Sequence, residues 1–163
     1  MNSELDWVVA HTRPRCEKKL AAFCAKEGIF HQLPLFRSPK SYRGKSLVFL
    51  KPLFPGYVFL RPAPDHIHLL RQNRHLARLL HPPDQAEFAA QLGAILLALE
   101  ANREVRLAPH IAEGQKVRLC TGPLRGLEGF VERREGVIDV ILRLDFITQA
   151  AAVKVSANEV EQV

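Results

Sequence analysis

The sequence predicts an α+β protein: an N-terminal antiparallel sheet flanked by helices, followed by a small five-stranded β-barrel. Three observations lead there. Strand-like apolar runs (5–11, 29–36, 47–50, 57–60 and 76–80) are interleaved with helical periodicity at 16–24 and 88–99. From Gln115 onward the helical period is gone, and short β-rich runs separated by glycine turns take over. Between the two, residues 101–110 lose any pattern and end in Leu107-Ala108-Pro109-His110. The expected division is a first domain at 1–104, a linker at 105–111 and a second domain at 112–163.

In chain order, Leu5 to His11 reads as a first strand, apolar through Trp7-Val8-Val9. Thr12 can cap the following helix and Pro14 is tolerated in its first turn. Cys16, Leu20, Phe23 and Cys24 fall on one face of that helix, its lysines lie largely elsewhere, and Gly28 ends it. Residues 29–36 are extended. The basic segment 37–46 is expected as a long hairpin tip presenting Lys40, Arg43 and Lys45, with Leu47 to Leu50 as the returning strand. Lys51-Pro52-Leu53-Phe54-Pro55-Gly56-Tyr57-Val58-Phe59-Leu60-Arg61 then frames three aromatics with two prolines and a glycine. Side chains alternate along a strand, so with Val58 and Leu60 facing the core, Tyr57 and Phe59 stand on the opposite, open face. Asp65 to Arg71 forms a short helix, Leu76 to Leu80 a strand. Asp84 with Glu87 begins a helix whose Phe88, Leu92, Ile95, Leu96 and Leu99 pack inward.

Charge is unevenly placed. The net charge is +6, but residues 11–51 hold ten Lys/Arg against two acids (+8), whereas residues 111–163 hold seven against eight (−1). The basic character therefore belongs to the N-terminal part, which points to a polyanionic partner there. Catalysis has no motif behind it: G-x-x-x-x-G-K-[ST], G-x-S-x-G and H-E-x-x-H are all absent. His66 and His68 share a helix but at i and i+2 point to different sides, so no metal and no cofactor are expected. Cys16, Cys24 and Cys120 are odd in number and far apart, which predicts reduced thiols. No apolar run reaches the ~20 residues of a membrane span, and the N-terminus lacks signal-peptide character, so a cytoplasmic monomer with no membrane partner is expected.

Pro52-Leu53-Phe54-Pro55-Gly56-Tyr57-Val58-Phe59 resembles the signature strand of the NusG N-terminal (NGN) domain, found in bacterial transcription elongation factors and their RfaH-type paralogues. Trp7-Val8-Val9 is similar to the family's opening strand and Ile67-His68-Leu69-Leu70-Arg71 to its short middle helix. Gly114-Gln115-Lys116-Val117-Arg118 running into Thr121-Gly122-Pro123-Leu124-Arg125-Gly126-Leu127-Glu128-Gly129 resembles a KOW motif, the start of an SH3-like barrel. The resemblance implies an NGN-like domain followed by a KOW domain in a non-enzymatic elongation or antitermination factor. Trp7, His11, Phe54, Pro55, Tyr57, Phe59 and His68 would meet RNA polymerase, chiefly the clamp helices of its largest subunit. Arg13, Arg15, Lys18, Lys19, Arg43, Lys45, Arg71 and Arg74 would meet nucleic acid, including the non-template DNA strand of the bubble. Phe146, Ile147, Thr148 and Gln149 would meet Rho or a small-subunit ribosomal protein. Arg43-Gly44-Lys45 and Pro52-Leu53-Phe54-Pro55 lean toward an RfaH-like paralogue. The alternative is a ribosome-associated, RNA-binding KOW protein, which would need its basic residues in the second domain, where acids balance them.

Overall fold

The computed structural model describes residues 5–101, 103–108, 114–134 and 137–163. They form two compact units, residues 1–35 with 54–86 and residues 36–53 with 87–163.

The first unit is an α/β layer. Strand β1 (Val8–Thr12) is followed by helix α1 (Glu17–Glu27) and strand β2 (Phe30–Gln32). The hairpin strands β3 (Leu35–Tyr42) and β4 (Lys45–Pro52), which form a sheet of their own, fall in the second unit from Phe36 on; the first unit resumes with β5 (Tyr57–Arg61), α2 (Pro64–Arg71) and β6 (Leu76–Leu80). The sheet runs β2-β5-β1-β6, antiparallel throughout. Ala10, Val58 and Leu60 share one face by alternation and are buried in a core with Leu20 and Cys24 of α1, Leu70 of α2, Ile29 and Leu76. The expected helical stripe is thus the packing face of α1, and Gly28 ends the helix in the left-handed conformation, as its position suggests. Thr12 does not cap this helix. It closes β1 instead, because its N–H donates to Gly56 O (2.8 Å) and the next N–H, that of Arg13, to His75 O (2.9 Å). Cys16 becomes the residue before α1, and the Thr12 hydroxyl is buried without a partner.

In the second unit, α3 (Gln85–Glu100, its first two residues falling in the first unit) buries Phe88, Leu92, Ile95 and Ala98, a 3.6-period stripe; of the expected set, Leu96 and Leu99 are only half-buried. Strands β7 (Val105–Ala108), β8 (Lys116–Leu119), β9 (Glu128–Arg134), β10 (Val137–Leu144), β11 (Gln149–Val155) and β12 (Val160–Gln162) form one antiparallel sheet in the order β12-β8-β9-β10-β11-β7. Five strands are expected from the sequence, and six are present among the described residues. The addition is β7, which lies inside the stretch read as a linker and pairs with β11 from Ala108↔Ala150 to Val105↔Val153. Residues 109–111 of that linker lie outside the described residues. Consecutive burial of Val140-Ile141-Leu142 and Ala150-Ala151-Ala152-Val153 shows both faces of the central strands covered. Gly129 is required where it stands: a Cβ there would lie 2.6 Å from Ile141 O and from Val140 Cγ1. Arg103, two residues before β7, holds Glu159, the residue before β12, through both guanidinium nitrogens, so the segments leading into the two edge strands meet. Among the described residues no helix is long and apolar enough to cross a membrane.

Candidate binding surfaces

The signature turn is held from three sides. Tyr57 N–H donates to Phe54 O (3.2 Å), closing the turn, and Gly56 O accepts from Thr12 N–H at the end of β1. Gly56 N–H donates to Glu17 Oε2 (3.0 Å), a carboxylate buried in the first turn of α1. Gly56 has φ 89°, and a Cβ there would touch the His11 ring at 3.6 Å. Glycine is therefore needed for the backbone, while the imidazole lies at ordinary contact distance from the turn.

That arrangement sets the start of β5 against the end of β1. His11 pairs with Tyr57 in register, and their rings stack at 5.1 Å and 21°. On the other side His11 pairs with Arg78 of β6. Directly opposed residues share a face, so Tyr57, His11 and Arg78 make a row across three adjacent strands, each step about 4.8 Å. Tyr57 and His11 are partly exposed and Arg78 is exposed. Arg78 is a site residue that sequence reasoning missed. Its only local signal is a cation inside the apolar strand Leu76–Leu80, and its neighbour in space lies 67 positions earlier.

The rest of the expected aromatic face is distributed differently. Phe59, opposite Val9, is fully buried, and so in effect is Phe54, whose ring meets it edge-on at 6.1 Å. The open aromatic pair of Tyr57 and Phe59 is corrected accordingly: this face is covered at its centre and accessible at its ends. The reason is that both faces of β5 are covered at Phe59, which alternation alone cannot reveal. Four residues before His11, about 13 Å away at strand rise, Trp7, the residue just ahead of β1, anchors a second cluster. Arg61 lies over its ring (5.1 Å), and Phe30, 53% exposed, meets it edge-on at 5.9 Å. Gln85 fixes the Trp7 backbone, accepting from its N–H (2.6 Å) and donating to its carbonyl (2.9 Å). Pro55 is exposed in the turn. His68 is exposed on α2, where its Nε2 contacts Gln72 Nε2 at 3.0 Å.

The basic residues converge from distant parts of the chain. Arg13 Nε donates to Arg74 O (3.0 Å), joining the turn before α1 to the one after α2. Arg15 stands next to it in a left-handed conformation (φ 62°), rare for a residue with a Cβ, and Lys18 and Lys19 follow on the exposed side of α1. Arg71 ends α2. Arg43 and Lys45 are elsewhere, at the tip of the β3–β4 hairpin. Here the long polar tip expected over 37–46 is nearly all strand. Arg43 (φ 50°) and Gly44 (φ 75°) make a two-residue turn, a geometry that suits the twist of a hairpin.

In the second unit, Asp145–Ile147 forms a 3-10 turn that ends at Thr148 in the left-handed region. Ile147 is buried, and Gln149 opens β11 opposite Leu144. Phe146 meets Phe88 of α3 edge-on at 6.1 Å. Gln91 grips Asp145 at both its N–H and its carboxylate (2.8 Å each), and Arg143 Nε adds a third contact (2.8 Å). Most cations of this sheet face acids: Arg106 with buried Asp139, Arg118 and Lys116 with Glu128, Lys154 with Glu104. All three cysteines are free, and burial pushes the Cys24 thiol up to about 11. Among the described residues no cluster of three His, Cys, Asp or Glu side chains could hold a metal ion.

A family model described as transcription termination factor nusG matches residues 5–91, a span that contains the aromatic row, the arginine corner and the hairpin. No curated protein matches the chain.

Proposed function

The chain belongs to the NusG family of non-enzymatic transcription factors, and from that premise we propose that it is an elongation factor that binds RNA polymerase through the Tyr57–His11–Arg78 row. The observation that carries this reading is the row itself: a stacked, partly exposed aromatic pair with an arginine beside it on a rigid sheet. Tyrosine and arginine are the side chains most enriched at binding hot spots, and a paired backbone keeps the entropy cost of docking low. Pro55 and His68 extend the contact and the Trp7–Arg61–Phe30 cluster forms its far end. Phe59, buried on the same face between these two ends, and Phe54 packed against it hold the sheet surface in place. The partner element is the clamp-helix tip of the largest polymerase subunit.

Arg13, Arg15, Lys18, Lys19, Arg71 and Arg74 contact phosphates, including those of the displaced non-template strand, with little sequence information. Residues 112–163 act as a KOW domain that recruits Rho or a small-subunit ribosomal protein through the turn at Phe146 to Gln149. The net effect is processive elongation and antitermination. The ion pairs of Arg106, Lys116, Arg118 and Lys154 in the C-terminal sheet weigh against an RNA-binding ribosomal role for that sheet.

Single-round transcription through a strong pause site tests the proposal. Wild type shortens the pause half-life, and Tyr57→Ala does so only at much higher concentration. A wild-type protein that leaves pausing and termination unchanged at any concentration removes the elongation-factor reading.

A further inference from the structure

The β3–β4 hairpin is a two-stranded ribbon, and among the described residues β3 is the only sheet neighbour of β4. A strand edge without a neighbour is a template for another strand unless the fold blunts it. The two edges of the ribbon differ in this respect. β3 carries Pro39 in its middle, and a proline within a ladder turns its missing N–H to the outer side, which blocks further pairing there. β4 has no proline before its last residue, Pro52. Its outer edge over residues 45–49 is the one suited to pairing.

Alternation sorts the side chains beside that edge. Lys45, Leu47, Phe49 and Lys51 share one face of β4, and Lys40 of β3 joins them, its Nζ 5.9 Å from the centre of the Phe49 ring. Ser46 and Val48 stand on the other face. Tyr42, Leu47, Val48 and Phe49 are all between 41% and 61% exposed, so apolar surface is open on both sides of the ribbon. Residues 35–52 hold five cations and no acid. On the lysine-bearing face a hydrogen bond with Lys40 holds the Lys51 amine below the ordinary lysine range, a crowding that a carboxylate would relieve.

We propose that this edge takes up an extended segment of a partner protein as a third strand, one in which acidic and aliphatic residues alternate. Pairing to the β4 backbone supplies the main-chain hydrogen bonds, and the two rows of side chains select the partner. With a period of two, the acids of the added strand lie beside Lys45 and Lys51, and its aliphatic residues lie beside Val48. A second copy of the hairpin does not suit this edge. It would set five cations against five, and like charges opposed across strands are destabilising. A nucleic acid would use the lysine-bearing face alone, leaving Val48 in water and offering no strand to the backbone. A ribbon of two strands is only marginally stable alone in water, and a third strand supplies what it lacks. The edge shares no residue with the Tyr57–His11–Arg78 row and needs no polymerase.

The test uses the full chain and a fluorescein-labelled eight-residue peptide of alternating glutamate and valine, followed by anisotropy. This peptide should bind. A peptide of the same residues with all glutamates first should bind at least roughly fivefold more weakly, and one of alternating lysine and valine not at all. Val48→Lys and Lys45→Gln/Lys51→Gln, each checked for native fold by circular dichroism, should weaken binding at least roughly fivefold. Amide hydrogen exchange over residues 45–49 should slow as the peptide binds. No binding by wild type, equal binding of either control peptide, equal binding by either variant, or unchanged exchange over 45–49 at saturation overturns the proposal. Two further outcomes overturn it by identifying another occupant. One is a labelled oligothymidylate that binds more tightly and displaces the peptide. The other is a wild-type dimer in sedimentation without peptide that Val48→Lys abolishes.

Discussion

Gly56 and Glu17 show how single residues decide whether the site exists. The N–H of Gly56 is satisfied by a carboxylate that arrives from α1, and the same glycine supplies the positive φ (89°) that the turn beside His11 requires. Removing the acceptor leaves an inward-facing donor without a partner. Glu17→Ala should therefore cost about 1.5–3 kcal/mol of stability in urea unfolding, the range for hydrogen bonds to charged groups. A loss below a few tenths of a kcal/mol would mean that the turn holds without α1. Several site residues are legible from their own neighbourhood. The prolines and glycine around Phe54 mark the turn, and Tyr57 follows as the first residue of a strand. Phe59 is not legible in this sense, because alternation says which residues share a face but not whether the face is covered. Arg78 is invisible for another reason: its place beside His11 is set by the register between β1 and β6, which no local pattern encodes.

Elements follow the sequence where the pattern is long and fail where tertiary hydrogen bonds outbid a local signal. Leu20 and Cys24 of α1 and Phe88, Leu92 and Ile95 of α3 are read correctly because hydrophobic burial drives them, whereas Leu96 and Leu99 are half-buried and Ala98 is buried instead. Thr12 carries a sound capping signal, yet two backbone bonds, to Gly56 and His75, draw Thr12 and Arg13 onto the sheet. Strand β7 escapes because a four-residue edge strand interrupted by Arg106 has almost no pattern of its own. It is nevertheless anchored at its start, where Arg103 holds Glu159 and, with the Ser156 N–H, keeps that carboxyl below its ordinary range. A depressed folded-state value means stabilisation that is full above the unfolded value of ~4.3 and fades as pH falls through the folded one. Arg103→Ala should thus be less stable than wild type at pH 7, with the gap closing as the pH is lowered below about 4. A gap of constant size across that range would show that the pair contributes nothing through its charges.

For the molecule as a whole, charge and exposed rings divide labour between the regions. Residues 11–51 carry an excess of +8, and within the first unit Arg13 is joined to Arg74 by a hydrogen bond. In the C-terminal sheet the cations largely face acids, so it offers a surface of low net charge suited to a protein partner. The account rests on one claim above the others, that the Tyr57–His11–Arg78 row is where polymerase docks. Its most direct test is equilibrium binding of the full chain to core RNA polymerase, comparing wild type with Tyr57→Ala and Arg78→Ala, each checked for native fold by circular dichroism. The account predicts a loss of about 2 kcal/mol, roughly thirtyfold in Kd, for Tyr57→Ala and a smaller loss for Arg78→Ala. Wild-type affinity in both variants would contradict it.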